Sequence, residues 1–161
     1  MMGGGLAMKR FLLLVFSVWS FTSVNAEVQK FEASGSLSDM PFSEAVRAGD
    51  LLFISGQVGT DIAGNLVPGG IQQETRQVLK NMRDIVHRRG LSMGDVVKCT
   101  VFLADVSDWG AFNEIYTTYF SKPYPARSAL GANGLALNAA VELECIAAYP
   151  QRRIASEPTN D

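Results

Sequence analysis

Hydrophobic positions along this chain follow two rhythms, and the change from one to the other marks out its elements. Residues 43–48 and 51–55 form two short strand-like runs separated by Gly49-Asp50, the composition of a compact hairpin turn. From Gly70 to Arg89 the apolar positions Ile71, Thr75, Val78, Leu79, Met82, Ile85 and Val86 recur three and four apart, which predicts one face of an amphipathic helix. Gly90 ends that helix, and His87, Arg88 and Arg89 occupy its last turn, where cations complement the helix dipole. Alternation returns from Asp95 to Ala104 and sets Val97, Cys99, Val101 and Leu103 on the apolar side. Ser107 or Asp108 is the expected cap of a second helix whose apolar face is Trp109, Phe112, Ile115, Tyr116, Tyr119 and Phe120, and Pro123 stops it. Two final strands follow around 126–131 and 140–148, with a turn over Gly131–Asn138 between them. Gly56, Gly59 and Gly64-Asn65 announce loops, and residues 27–40 read as a loosely attached strand or arm.

This order implies an α+β domain, a mixed sheet with two helices covering one face. Such a sheet keeps a second face to bury, and burial against copies of itself favours a closed homo-oligomer. The 161 residues suffice for one domain, placed at 27–150. Residues 151–161 form a polar tail expected to be disordered. The N-terminus differs: Lys9-Arg10 precede the apolar run Phe11 to Phe21, then Val24-Asn25-Ala26 and polar Glu27. That is the order of a secretory signal peptide over 1–26, and the run falls short of the ~20 residues of a spanning helix. The expectation is cleavage after Ala26 and export, to a periplasm, with no membrane association afterwards. The alternatives are an uncleaved anchor, or a cytoplasmic protein whose true start is Met8.

Two cysteines, Cys99 and Cys145, each sit in the apolar set of a strand; they are expected as buried free thiols, although an exported chain could bond them. Fourteen Lys and Arg against sixteen Asp and Glu give a net charge of −2, with no basic stripe interleaved with aromatics, so nucleic acid is excluded as a primary partner. His87 is the single histidine and lies on a solvated helix end, which supports neither a metal site nor a Ser-His or Cys-His nucleophile. Gly69-Gly70 lacks the spacing and the lysine of a phosphate cradle. The chemistry expected is therefore free of cofactor and metal.

What remains lies in Tyr124-Pro125-Ala126-Arg127-Ser128 and Val141-Glu142-Leu143-Glu144-Cys145. Arg127 is planar and permanently charged, suited to gripping a small carboxylate with two parallel donors. Its competing role is a structural ion pair with Glu142 or Glu144. Strand alternation sends Val141, Leu143 and Cys145 one way and both glutamates the other, so this carboxylate row must face water, a cleft or another subunit. Glu142 is the candidate acid or base.

Six segments taken together, Phe53-Ile54-Ser55-Gly56-Gln57, the helix 72–85 with Asn81 in it, Gly94-Asp95-Val96-Val97-Lys98-Cys99-Thr100-Val101-Phe102-Leu103, Asn113-Glu114-Ile115-Tyr116, Pro125-Ala126-Arg127-Ser128 and Val141-Glu142-Leu143-Glu144-Cys145-Ile146-Ala147, resemble the RidA (YjgF/YER057c/UK114) family of reactive-intermediate deaminases. The resemblance covers roughly 40–149. It implies a chorismate-mutase-like fold closed into a homotrimeric barrel, with sites in the clefts between subunits. It also implies hydrolysis of 2-imino acids to 2-oxo acids and ammonia, the 2-iminobutanoate/2-iminopropanoate deaminase type of C=N hydrolysis. Arg127 then matches the arginine that grips the substrate carboxylate and Glu142 the glutamate that positions the attacking water. Ser55 and Gly56 line the pocket, and the main chain at Ala129 faces the substrate. Phe42 stands where many of these deaminases carry a tyrosine, and Ala129 where many carry a cysteine. Loss of one buried polar partner costs about 1–3 kcal/mol, which implies slower turnover or a preference for more apolar imines. The alternative is a non-catalytic small-molecule-binding or stress-related interaction protein that uses the same cleft. A ribonuclease role conflicts with the acidic balance.

Overall fold

The computed structural model describes residues 27–33 and 38–150; the expected signal peptide and the polar tail lie outside them. Val28–Glu32 (β1) pairs antiparallel with Ser43–Ala48 (β2), which turns at Gly49-Asp50 into Leu51–Val58 (β3), so the arm expected before residue 40 is a sheet strand. Gly70–Arg88 (α1) follows, then Val96–Leu103 (β4), Trp109–Tyr119 (α2), Ala126–Gly131 (β5) and Val141–Ala148 (β6). The six strands lie in the order β1-β2-β3-β6-β4-β5, antiparallel throughout except for the parallel pair β4 and β5. The mixed sheet with two helices on one face is as the periodicity predicts.

The core forms where the helices meet that face. Val78, Leu79, Met82, Ile85 and Val86 of α1 and Phe112, Ile115 and Tyr116 of α2 pack on Leu52, Ile54, Val101, Leu103, Val141 and Leu143. Each such aliphatic or aromatic side chain contributes about 1.5–3 kcal/mol on leaving water. Glu74 is also buried on α1, and its carboxylate accepts the Ala140 N–H at 2.6 Å, which ties the helix to the start of β6. Gly90 takes φ 75°, the left-handed conformation that ends a helix, with its N–H on His87 O and the Leu91 N–H on Val86 O, both at 3.0 Å.

Gly56, expected to announce a loop, lies within β3, and three further local expectations change. A register shift between Val96 and Lys98 turns Val96 into the core and leaves Val97 exposed, the reverse of a strict alternation. The capping bond before α2 belongs to Asp105, whose carboxylate accepts the Ser107 N–H at 2.8 Å; Asp108 precedes the helix without a side-chain cap bond. The cysteines are not free thiols. Cys99 and Cys145 face each other directly across β4 and β6, with Cα atoms 4.1 Å apart, and are joined in a disulfide. Alternation placed each in the core; only the non-local register places them opposite one another.

Candidate functional site

Register decides on which side of the sheet each candidate residue stands. Arg127 on β5 lies opposite Cys99 on β4, and Cys99 lies opposite Cys145 on β6. Directly opposed residues share a face, and both cysteines are buried in the core, so Arg127 is on the helix side. Ala129, two residues further along β5, shares that side and packs against the core. Glu142 lies opposite Phe102, which lies opposite Leu130, three residues from Arg127. An odd separation reverses the face, and Glu142 accordingly alternates with buried Val141 and Leu143 and belongs to the uncovered side. Within one protomer, therefore, the sheet separates Arg127 from Glu142.

On the uncovered face, β3 is irregular between Ile54 and Gln57 in its pairing with β6, and Ser55 and Gly56 occupy that irregularity. The Glu142 carboxylate lies directly over Gly56. A Cβ at position 56 would stand 3.0 Å from Glu142 Cδ and 3.3 Å from Cγ, and would overlap Oε1 outright. Glycine is needed there for close approach. Gln57 Nε2 donates to the carbonyls of Ser55 and Gly56 at 3.1 and 3.2 Å, and the Ser55 hydroxyl donates to Ser43 O at 2.7 Å, so the irregular segment is held from both sides. Burial pushes the Glu142 carboxyl above the ordinary carboxylate range, and the neighbouring Glu144 carboxylate adds to that. Glu142 is thus a partly desolvated carboxyl with raised proton affinity, the property of a general acid or base. Phe42, in the bend before β2, is exposed.

On the helix side, Arg127 has no ion pair and no side-chain hydrogen bond among the described residues. The expected alternative of a structural salt bridge with Glu142 or Glu144 does not form within the protomer. Three aromatic rings surround the guanidinium instead: Tyr116 at 4.8 Å, Phe112 at 5.7 Å and Trp109 at 5.8 Å from its carbon to the ring centroids. Sequence periodicity read these rings only as core; their i, i+3, i+7 spacing on α2 was the available signal. Arg127 opens on a cleft of about 380 Å³ lined by Asn113, Tyr116, Thr117, Tyr124 and Pro125. Its polar edge suits a small anion, and its rings suit an aliphatic chain.

Other conspicuous polar groups hold structure. Asn81 Nδ2 donates to Thr60 O at 2.9 Å and Gln77 Nε2 donates to Asn81 Oδ1 at 2.8 Å, fixing the chain after β3 to α1. His87 is exposed on the last turn of α1. Among the described residues, no three of His, Cys, Asp and Glu converge as metal ligands would.

Similarity to known proteins extends over nearly the whole domain. The family model described as Endoribonuclease L-PSP matches residues 35–149. The 2-iminobutanoate/2-iminopropanoate deaminase of Mus musculus is 47% identical over 108 residues, which are 66% of this chain and 80% of that protein. The chloroplastic Reactive Intermediate Deaminase A of Arabidopsis thaliana is 42% identical over 129 residues, 80% of this chain and 68% of that protein. The crystal structure of RidA from a Psychrobacter species superposes with a TM-score of 0.66 at 34% identity, covering 77% of this chain and 98% of that one.

Proposed function

The chain belongs to the Endoribonuclease L-PSP family, which includes the RidA deaminases, and from that premise we propose that it hydrolyses reactive 2-imino acids to 2-oxo acids and ammonia at sites built between subunits. The observation that carries this reading is the separation of an unpaired guanidinium from a proton-avid carboxylate by the thickness of the sheet. Neither group is neutralised by the other, and a site that uses both draws them from two copies of the chain. The uncovered face offers the means, since Leu51, Phe53 and Leu130 stand 38%, 42% and 44% exposed on the same side of the sheet as Glu142. Exposed apolar side chains grouped on one sheet face mark an interface, and the homotrimer expected from the family resemblance buries it.

In this assembly the Arg127 guanidinium of one subunit takes the carboxylate of the imino acid in two parallel hydrogen bonds. That grip leaves C2 and its C=N bond directed at Glu142, Ser55 and Gly56 of the neighbour, with the main chain at Ala129 alongside. Glu142 accepts a proton from water as the water oxygen adds to C2 and the C=N π electrons move to nitrogen, giving a tetrahedral aminoalcohol. Glu142 gives that first proton to nitrogen, which completes the neutral aminoalcohol. It then takes the hydroxyl proton and delivers it to the amino nitrogen as the C–N bond breaks, so the electron pair leaves on ammonia and the C=O of the 2-oxo acid forms. Water is consumed and ammonia released, with no change of oxidation state. Phe42, near β2, supplies no hydroxyl to this site, which favours imines with apolar side chains. The acidic composition, −2 overall, gives no support to RNA as substrate despite the family's descriptive name.

The signal-like order of residues 1–26 and the Cys99–Cys145 disulfide both support an exported, periplasmic location, where amino-acid oxidation is a source of imines. Intact-mass measurement on protein from its native envelope, with a mature N-terminus at Glu27, tests that part. The activity is tested by generating the imine in place with an amino-acid oxidase and following its decay with and without this protein. Acceleration that Arg127→Ala abolishes is the expected result; an unaccelerated decay in the presence of folded trimer leaves a binding role in its place.

A further inference from the structure

Arg127 is a half-buried cation without a counter-charge among the described residues, an arrangement that ordinarily costs stability. What stands around it is an aromatic wall. Trp109, Phe112 and Tyr116 occur at i, i+3 and i+7 on α2, hence on one helix face, and all three rings lie within 6 Å of the guanidinium carbon. We propose that this aromatic wall is the positioning device of the carboxylate clamp, holding the Arg127 guanidinium in place while leaving its charge uncancelled and its donors available to a ligand. The proposal rests on the imine-hydrolysis reading and adds to it the origin of selectivity for an α-carboxylate.

The physical case is a comparison of two ways to hold an arginine. An aspartate or glutamate partner would fix the guanidinium as firmly, but it would occupy two of the five N–H donors and neutralise the charge that attracts the substrate. Ring faces attract the cation through their quadrupole and accept none of its in-plane N–H groups in ordinary hydrogen bonds. The wall also stays neutral. Burial pushes the Tyr116 phenol above its ordinary range, against the opposing pull of Arg127, so no phenolate competes with the substrate anion. The Tyr116 hydroxyl is buried and has no hydrogen-bond partner among the described residues, which leaves the ring as the part that serves Arg127. A cleft organised in this way selects imines that carry a carboxylate next to C=N and disfavours the corresponding amides.

Trp109 is the ring to alter, because it is 39% exposed and its loss spares the core. Wild type, Trp109→Leu, Trp109→Phe and Arg127→Ala are compared as full-length trimers. The measurements are kcat and KM on the imine made from leucine by an amino-acid oxidase, and the Kd of 4-methyl-2-oxopentanoate, its 2-oxo acid product, by calorimetry. Trp109→Leu is expected to raise KM and the product Kd about fivefold, with kcat within about twofold of wild type, and Trp109→Phe to recover most of the affinity. If Arg127→Ala is inactive while Trp109→Leu keeps wild-type KM and Kd, the wall is mere core packing and the deaminase reading stands without it. A fall in kcat alone in Trp109→Leu overturns the proposal equally. If Arg127→Ala itself turns over like wild type, both the wall and the deaminase reading fail.

Discussion

Replacing Gly56 by alanine isolates the position of the Glu142 carboxylate from its chemistry. The added methyl overlaps Glu142 Oε1 and crowds Cδ and Cγ at 3.0 and 3.3 Å. No backbone atom is among these nearest neighbours, so the flexible end of Glu142 yields and the strand does not. The carboxylate must retreat by about 1 Å or more to restore ordinary contact, and a misplacement of that order costs about 10²-fold in rate. Stability should change little: alanine in a strand gains about 0.5–1 kcal/mol over glycine, which offsets the cost of a displaced, partly exposed side chain. Gly56→Ala is therefore expected to keep the oligomeric state of wild type, melt within a few degrees of it, and lose about 10²-fold in kcat in the coupled oxidase assay. Glu142→Gln serves as the reference for complete loss of the base, about 10²–10⁴-fold. Wild-type turnover in a folded Gly56→Ala trimer would refute the reasoning, because the carboxylate could then act from more than one place.

The raised proton affinity of Glu142, from burial first and Glu144 second, means that the folded chain binds this proton more tightly than the unfolded one. Its ionisation subtracts stability as pH rises through the folded pKa, and nothing is lost well below the unfolded value of about 4.3. Glu142→Gln should melt above wild type at about pH 7, with the gap closing toward about pH 4; a variant that melts lower at neutral pH would restore the salt-bridge reading. For the same reason the acid limb of kcat/KM should lie above the ordinary carboxylate range, measured as a pH profile. Arg127→Lys should bind the 2-oxo acid product as poorly as Arg127→Ala, since an ammonium lacks the flat two-pronged donor; calorimetry reads it. Reducing the disulfide, which closes a 46-residue separation, should cost about 2–4 kcal/mol in denaturant unfolding.

Elements held by local periodicity are legible in the chain itself. The hairpin around Gly49-Asp50, α1 with its Gly90 stop, α2 and both final strands follow from spacing and turn chemistry, because each buries a face whose pattern is written within it. What depends on pairing between distant segments was not legible. The register that sets Cys99 against Cys145 joins strands 46 residues apart, and the shift that exchanges Val96 for Val97 comes from that same pairing. The site divides likewise. Arg127 and Glu142 stand out by residue type in apolar surroundings, but their placement on opposite faces follows from counting register through β4. The rings beside Arg127 were visible as an apolar helix face, with nothing local to show that the face meets a guanidinium.

Complementation between inactive subunits tests the central claim most directly. Arg127→Ala and Glu142→Gln chains, each inactive alone, are co-expressed in equal amounts and the mixed trimers assayed per folded trimer. If each site takes its arginine from one subunit and its glutamate from the next, random assembly leaves about one site in four with both groups intact, and about a quarter of wild-type turnover should return. Mixed trimers with no recovered activity would contradict a site shared across the interface.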